Sequence, residues 1–62
     1  MDRIIIDPEV LSGKPVIKGT RIPVYLIIEL LANGMTKKEM LIQYPTLKKQ
    51  DIKAALIYAS KS

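Results

Sequence analysis

The sequence predicts a mainly α-helical domain, in which a three-helix helix-turn-helix bundle over residues 23–62 follows a short N-terminal β-hairpin or arm over residues 1–19. Two observations predict this fold. Hydrophobic side chains recur at helical spacing along three stretches of the second region, whereas the first region holds only short β-branched runs broken by proline and glycine. A chain of 62 residues makes one domain at most, and it buries only about 60% of its unfolded surface, so its core is small.

The arm contains two short runs that can pair as antiparallel strands. Residues 3–6 form a β-branched run that ends at the turn signal Asp7 and Pro8, and residues 15–18 form a second run that ends at Gly19. A lone two-stranded hairpin is only marginally stable in water. We therefore expect the hairpin to pack on the helices or on a second copy of the chain.

The first helix is predicted from Pro23 to Asn33. Proline suits the first helical position, because its missing N–H has no partner within the helix, and either Thr20 or Ile22 is the predicted cap. Gly34 supplies the left-handed residue that ends the helix. Nearly the whole circumference of this helix is apolar, so more than one side must be covered, by the hairpin, by a second subunit or by both.

The second helix has the clearest start in the sequence. Thr36 and Glu39 form a capping-box pattern, in which each side chain accepts a hydrogen bond from the backbone N–H of the other residue. Pro45 ends the helix, because it disfavours the helical conformation at the residue before it. The inward stripe of this helix consists of Met40, Leu41 and Tyr44.

The third helix is predicted to begin between residues 48 and 50 and to run toward Ser60. Its inward face combines Ile52, Ala55, Leu56 and Ala59. Its outward face combines Lys49, Gln50, Lys53, Ala54 and Ile57. A short connection over residues 45–48 joins it to the second helix, which is the helix-turn-helix pattern.

Positive charge is concentrated in the second and third helices. The net charge is +4, and residues 37–53 hold five lysines against two acidic residues. This excess suits a phosphate backbone, and a solvated face that keeps a small domain soluble has the same composition. In a helix-turn-helix domain the third helix enters the major groove of DNA. The candidate DNA-contacting residues are Thr46, Lys48, Lys49, Gln50 and Lys53, with Gln50 suited to an adenine edge.

A protein contact is the alternative use of these surfaces. Ile57 is predicted to be exposed beside Tyr58, which favours a protein partner over base recognition. Without disulfides or a metal, a fold this small is commonly supported by oligomerisation, so we expect a homodimer through the first helix and the hairpin. The candidate partner-contacting residues are Ile4, Ile6, Arg21, Tyr25, Ile28 and Ile57.

The composition argues against catalysis and against membrane insertion. Cys and His are absent and no carboxylates form a metal-ligand pair at helical spacing, whereas catalysis needs a nucleophile with a base, a metal or paired carboxylates. We therefore predict no enzymatic activity, no catalytic residue, no metal ligand and no cofactor. No apolar run approaches the roughly 20 residues of a membrane span, and Asp2 and Asp7 do not suit a signal peptide. The expected location is the cytoplasm.

Several motifs of the chain resemble those of a known family. The longest is Gly-Lys-Pro-Val-Ile-Lys-Gly-Thr-Arg-Ile-Pro-Val at residues 13–24, and Gly-Met-Thr at 34–36 and Tyr-Pro-Thr-Leu at 44–47 follow it. Nearly the whole chain resembles the family DUF433, a domain family of unknown function. The resemblance implies a homeodomain-like helix-turn-helix fold and an antitoxin that neutralises a PIN-like ribonuclease toxin and binds its own operator. One departure is Lys48, which stands where members usually have threonine and implies a weaker cap on the third helix.

Overall fold

Residues 3–61 are described by a computed structural model of the chain. The elements in order are β1 (Ile4–Ile5), a 3-10 turn (Leu11–Gly13), β2 (Val16–Ile17), α1 (Val24–Ala32), α2 (Lys37–Gln43) and α3 (Lys49–Ser60). The predicted fold class, mainly α with three helices behind a short N-terminal hairpin, is confirmed. The hairpin packs on the helices of its own chain, because Ile4 and Ile17 belong to the same core cluster as residues of all three helices.

The two strands pair antiparallel, as predicted, with Ile4 opposite Ile17 and Ile5 opposite Val16. Successive side chains of a strand point to opposite faces. In the first strand Ile4 is buried with 7% exposure, whereas its neighbour Ile5 is half-buried. Ile6 lies beyond the end of the strand and is 61% exposed. In the second strand Val16 and Ile17 are both fully buried, so the chain covers both faces of β2.

The chain folds back on itself between β2 and α1. The Ile17 N–H donates to the Ile22 carbonyl at 3.0 Å, and the Val24 N–H donates to the Pro15 carbonyl at 2.9 Å. At the turn, Gly19 has a φ of 82°, a left-handed conformation that favours glycine. These hydrogen bonds join the two halves of the long motif at residues 13–24, which leads the chain into α1.

Thr20 fixes this turn with its hydroxyl group. The hydroxyl donates to the Ile17 carbonyl at 2.8 Å and accepts from the Ile22 N–H at 3.0 Å. Ile17 ends β2 and Ile22 lies in the turn before the helix, so neither partner belongs to α1. Thr20 is therefore a turn residue and not the cap of the helix.

The start of α1 differs from the prediction. Pro23 occupies the capping position in an extended conformation, the helix begins at Val24, and among residues 3–61 no side chain caps it. The assignment of Pro23 to the first helical position was wrong, and so was the choice of Thr20 or Ile22 as cap. The physical reason is the hydrogen bond to the Pro15 carbonyl, which satisfies the first free N–H of the helix from outside.

The other end of α1 follows the prediction. Gly34 has a φ of 97°. The Gly34 N–H donates to the Leu31 carbonyl at 3.1 Å, and the Met35 N–H donates to the Leu30 carbonyl at 3.0 Å. This pair of bonds is the Schellman motif, which satisfies carbonyl groups that the last helical turn leaves free.

The capping box of α2 is confirmed. The Thr36 hydroxyl accepts from the Glu39 N–H at 3.1 Å, and the Glu39 carboxylate accepts from the Thr36 N–H at 2.9 Å. Tyr44 follows the helix outside the helical region, with φ −122° and ψ 79°, as Pro45 predicted. Of the predicted inward stripe, Met40 is fully buried and the other two side chains pack against the core.

The capping box leads to a pH-dependent stability. The Thr36 backbone N–H, and then its hydroxyl, hold the pKa of Glu39 below its usual 4.5. A lowered folded-state pKa stabilises the fold above the unfolded-state pKa, and this stabilisation is lost as pH falls through the folded-state value. We expect Glu39→Gln, whose amide oxygen keeps the backbone contact, to lose less stability than the parent between about pH 6 and pH 3. Urea unfolding at each pH measures it, and parallel profiles for the two proteins would contradict the linkage.

The buried face of α3 is rotated from the predicted one. Ile52 and Ala55 are buried, as predicted, but Leu56 is 39% exposed. Four residues were placed on the wrong face: Leu56 and Ala59 are exposed, Ala54 is buried, and Ile57 is half-buried. The inner face of α3 is thus rotated toward Asp51, a buried residue that apolar spacing does not predict.

Asp51 is a buried carboxylate that joins the N-terminal segment before β1 to the start of α3. One of its oxygens pairs with Arg3 Nη1 at 2.9 Å, and the other accepts from the Lys48 N–H at 2.9 Å. Its side chain is 7% exposed and that of Arg3 is 42% exposed. The weaker cap expected from Lys48 is thus offset, because Asp51 reaches back to the free N–H at the start of α3.

Candidate functional site

A groove lined by four lysines lies between α2 and α3. Its volume is about 790 Å³, and it is lined by Lys37, Lys38 and Leu41 of α2 and by Lys49, Lys53 and Leu56 of α3. We call it the basic groove. The capping box at Thr36 sets the first two lysines in the opening turn of α2. The second two are one turn apart, so they lie on one face of α3.

The basic groove has an excess of positive charge along its described lining. Among the described residues that line the groove, none is acidic. Glu39 of α2 is held by the backbone of Thr36, and Asp51 of α3 is buried against Arg3. The arrangement suits an anionic ligand with several charges, because each lysine can turn a mobile ammonium group toward it.

The structure brings together two of the five predicted DNA-contacting residues. Lys49 and Lys53 line the basic groove. The other three, Thr46, Lys48 and Gln50, are exposed around the start of α3 but do not line the groove.

Sequence reasoning missed Lys37 and Lys38 as members of this site. Both had been counted in the lysine excess of residues 37–53, and the capping box already placed them in an exposed first turn. The missing information was the packing of α2 beside α3, which brings them next to Lys49 and Lys53.

The predicted partner-contacting residues divide into three groups. Ile4 was wrongly assigned to the surface, because it points from β1 into the core. Ile28 and Ile57 are half-buried, so the exposed isoleucine expected at position 57 is also corrected. The exposed members are Ile6 at 61%, Tyr25 at 55% and Arg21.

A second groove is apolar and lies between α1, α3 and the loop before β2. Its volume is about 430 Å³. The helix contributes Val24, Tyr25, Ile28, Glu29 and Ala32, the loop before β2 contributes Lys14 and Pro15, and α3 contributes Tyr58 and Ala59. We call it the apolar groove. Lys14 Nζ lies 5.3 Å from the centre of the Tyr25 ring, which is within the range of a cation–π contact.

The acidic residues of the described chain are not clustered. Within residues 3–61, no group of three His, Cys, Asp or Glu side chains is close enough to hold a metal ion. The helices of the same residues include none with the length and apolar character that crossing a bilayer requires.

Comparison with known proteins relates the chain to one family. A family model described as a protein of unknown function, DUF433, matches residues 4–59. The uncharacterised protein y4eO of Sinorhizobium fredii is 42% identical over 52 residues, which are 84% of this chain and 24% of that protein. An uncharacterised protein of Archaeoglobus fulgidus is 67% identical over 24 residues, which are 39% of this chain and 67% of that protein.

A solved structure has the same fold. The crystal structure of a DUF433 member protein from Anabaena variabilis superposes with a TM-score of 0.94 at 35% sequence identity. The match covers 100% of this chain and 61% of that chain. The chain therefore spans about a quarter of the length of the Sinorhizobium protein and about three fifths of the Anabaena chain.

Proposed function

The chain belongs to the DUF433 family, whose function is unknown, and we propose that this member is a small DNA-binding regulator that holds duplex DNA at α3 and at the basic groove. The observation that carries the proposal is the set of four lysines lining one groove. Lysine side chains bind the phosphates of DNA and fix the register of a protein on the duplex.

The dimensions of α3 suit a major groove. The helix has 12 residues, which gives a length of about 18 Å, and a helix with its side chains is about 10–12 Å across. The major groove of B-DNA is about 12 Å wide. Under a helix-turn-helix interpretation, α3 enters the groove while Lys37 and Lys38 of α2 bind the backbone beside it.

Sequence recognition requires a group other than lysine at the same face. Gln50 is exposed on α3, and its amide presents a donor and an acceptor that match an adenine edge. Thr46 and Lys48 are exposed in the segment just before the helix, where a hydroxyl and an ammonium group add backbone contacts. In this proposal the lysines supply affinity and Gln50 supplies selectivity.

The antitoxin role implied by the family resemblance adds a second partner, a PIN-like ribonuclease toxin. The support for this part is the resemblance alone. The test is genetic: the gene next to this one should encode such a nuclease, and co-expression of this chain should relieve its toxicity. Growth arrest that persists with the chain fully expressed would remove the antitoxin part and leave the DNA-binding part standing.

A protein-interaction module without DNA binding is the second candidate function. The apolar groove favours it, because Tyr25 is 55% exposed there. The two candidates differ in their dependence on salt. Neither candidate function requires catalysis. In both we propose a cytoplasmic protein.

Salt dependence tests the DNA proposal directly. We expect the full chain to bind a duplex of roughly 20 base pairs, about two helical turns, with an affinity that falls by about 100-fold between about 50 and 200 mM salt. This follows from four phosphate contacts, each of which contributes about −0.9 to the slope of log affinity against log salt. Fluorescence anisotropy of a labelled duplex measures the slope. Absence of binding at the lowest salt, or a slope near zero, would favour the protein-interaction candidate.

A further inference from the structure

We propose that the apolar groove is covered by the same groove of a second copy of this chain, in a two-fold dimer that sets Lys14 of each chain against Glu29 of the other. The proposal concerns a surface that the DNA interface does not use. Within residues 3–61 the two grooves share no lining residue, so the dimer stands or falls independently of DNA binding.

The burial of α1 within one chain is incomplete. Of its nine residues, only Val24 and Ile27 are buried, although the helix carries a single charged residue, Glu29. Tyr25 is 55% exposed and Ile28 is half-buried, and both line the apolar groove. A helix that is apolar nearly all round is normally covered on more than one side, and the hairpin and α3 leave this side open.

The charges of the apolar groove identify the occupant. Among the described lining residues, the charged ones are one cation, Lys14, and one anion, Glu29. In a two-fold interface each residue meets its counterpart in reverse, so that residue i faces residue j and residue j faces residue i. A groove with one charge of each sign is therefore complementary to itself, whereas a strongly acidic or basic partner would meet a repulsive charge at one end.

The basic groove is unsuited to self-association. The chain carries a net charge of +4, and four of its lysines line the basic groove. Two copies that met through the basic groove would repel each other. The apolar groove is locally neutral, so two copies can approach through it without that cost.

The area that a stable protein–protein interface covers indicates how much surface the proposed dimer must bury. Such an interface covers about 800 Å² on each partner, which is nearly a fifth of the 4404 Å² that this chain exposes. The covered surface must therefore reach beyond the groove. The adjacent loop offers Leu11, which is 40% exposed and whose carbonyl accepts from the Lys14 N–H at 3.2 Å.

The loop that carries Leu11 has an unusual backbone. Leu11 and the next residue, Ser12, have φ values of 49° and 57°, a left-handed conformation that residues other than glycine seldom adopt. Such strain persists where the surroundings hold it in place. The Leu11 side chain in this loop is exposed three residues before Lys14, and it extends the surface proposed to meet the second copy.

Charge reversal and charge exchange test the dimer. Sedimentation equilibrium without DNA, at micromolar concentration, is expected to give a dimer for the parent. Lys14→Glu alone and Glu29→Lys alone should each weaken association by at least tenfold, and the double variant, which restores one charge of each sign, should recover it. Lys18→Glu and Glu9→Lys change exposed charges outside the groove by the same amounts and should leave the dimer intact.

The outcomes are separable from folding and from DNA binding. Both reversed side chains are exposed, and circular dichroism establishes that each variant keeps its helices. A parent that sediments as a monomer overturns the proposal. So does a folded double variant that stays as weak as the single ones, or single variants that associate like the controls. None of these results bears on the salt dependence of DNA binding, which is measured separately.

Discussion

Replacing Lys49 and Lys53 by glutamate is expected to lower the affinity of the protein for duplex DNA by about 100-fold or more at moderate salt. Both lysines line the basic groove on α3. Contacts between charged groups contribute about 1.5 kcal/mol or more each, and about 1.4 kcal/mol corresponds to a factor of ten in affinity. The loss of two such contacts therefore accounts for about two orders of magnitude before the added repulsion of glutamate and phosphate is counted. The salt slope should become shallower by about two.

Matched variants distinguish the effect of the basic groove on DNA affinity from the effect of net charge. Lys18→Glu/Lys61→Glu changes the net charge by the same amount at two exposed lysines that do not line the basic groove, and it should lower affinity far less. Lys37→Glu/Lys38→Glu tests the α2 side of the groove and should resemble the α3 pair. Parent-like binding by Lys49→Glu/Lys53→Glu would reject α3 as the contact surface, whatever the total charge of the protein contributes.

The elements of the fold that sequence analysis located best depend on neighbours along the chain. The capping box of Thr36 and Glu39, the end of α2 before Pro45 and the end of α1 at Gly34 each rest on contacts within about five residues. Local hydrogen bonding and backbone sterics decide such features, so residue identity and spacing are sufficient to predict them.

The errors came from contacts between distant segments. The start of α1 was misplaced because the Val24 N–H is satisfied by the Pro15 carbonyl, nine positions earlier. The buried face of α3 was misplaced because Asp51 lies in the interior, which depends on its ion pair with Arg3. A periodicity of apolar residues places any aspartate outside, so the pattern alone could not include it.

In the candidate site, too, the features set by local spacing were predicted and those set by contacts between helices were not. Helical spacing predicted that Lys49 and Lys53 share a face of α3, and they do. Their association with Lys37 and Lys38 required the packing of one helix on another. In the arm, three consecutive isoleucines do not reveal which one points inward, and the choice of Ile4 over Ile6 follows from pairing with β2.

Asp51→Ala is expected to lower the free energy of unfolding by about 2–3 kcal/mol. The alanine variant loses the acceptor for the Lys48 N–H, which is worth about 1 kcal/mol as a helix cap, and the charged contact to Arg3, which is worth about 1.5 kcal/mol in this partly exposed geometry. A domain of this size loses about 4–8 °C of melting temperature for each kcal/mol. A decrease of about 10–20 °C is therefore expected in thermal unfolding followed by circular dichroism.

The control is the other aspartate that accepts a local backbone bond. Asp7 accepts from the Glu9 N–H at 2.9 Å at an exposed site. Asp7→Ala therefore removes the same kind of local hydrogen bond, but it removes neither a buried group nor an ion pair. We expect it to lower the free energy of unfolding by well under half as much as Asp51→Ala. All proteins are compared at one concentration, because a dimer would couple the melting temperature to it. Equal losses for the two alanine variants would contradict the role assigned to Asp51.

A double-mutant cycle measures the coupling energy between Arg3 and Asp51. Arg3→Met keeps the apolar stem of arginine but removes the charge that faces Asp51, and it should cost less than Asp51→Ala because Lys48 still donates to the carboxylate. If the ion pair couples the N-terminal segment beside β1 to the start of α3, Arg3→Met should cost almost nothing further once Asp51 is alanine. Additive losses would mean that Asp51 stabilises α3 through its cap alone, and that the hairpin is held to the helices by the isoleucines of the core.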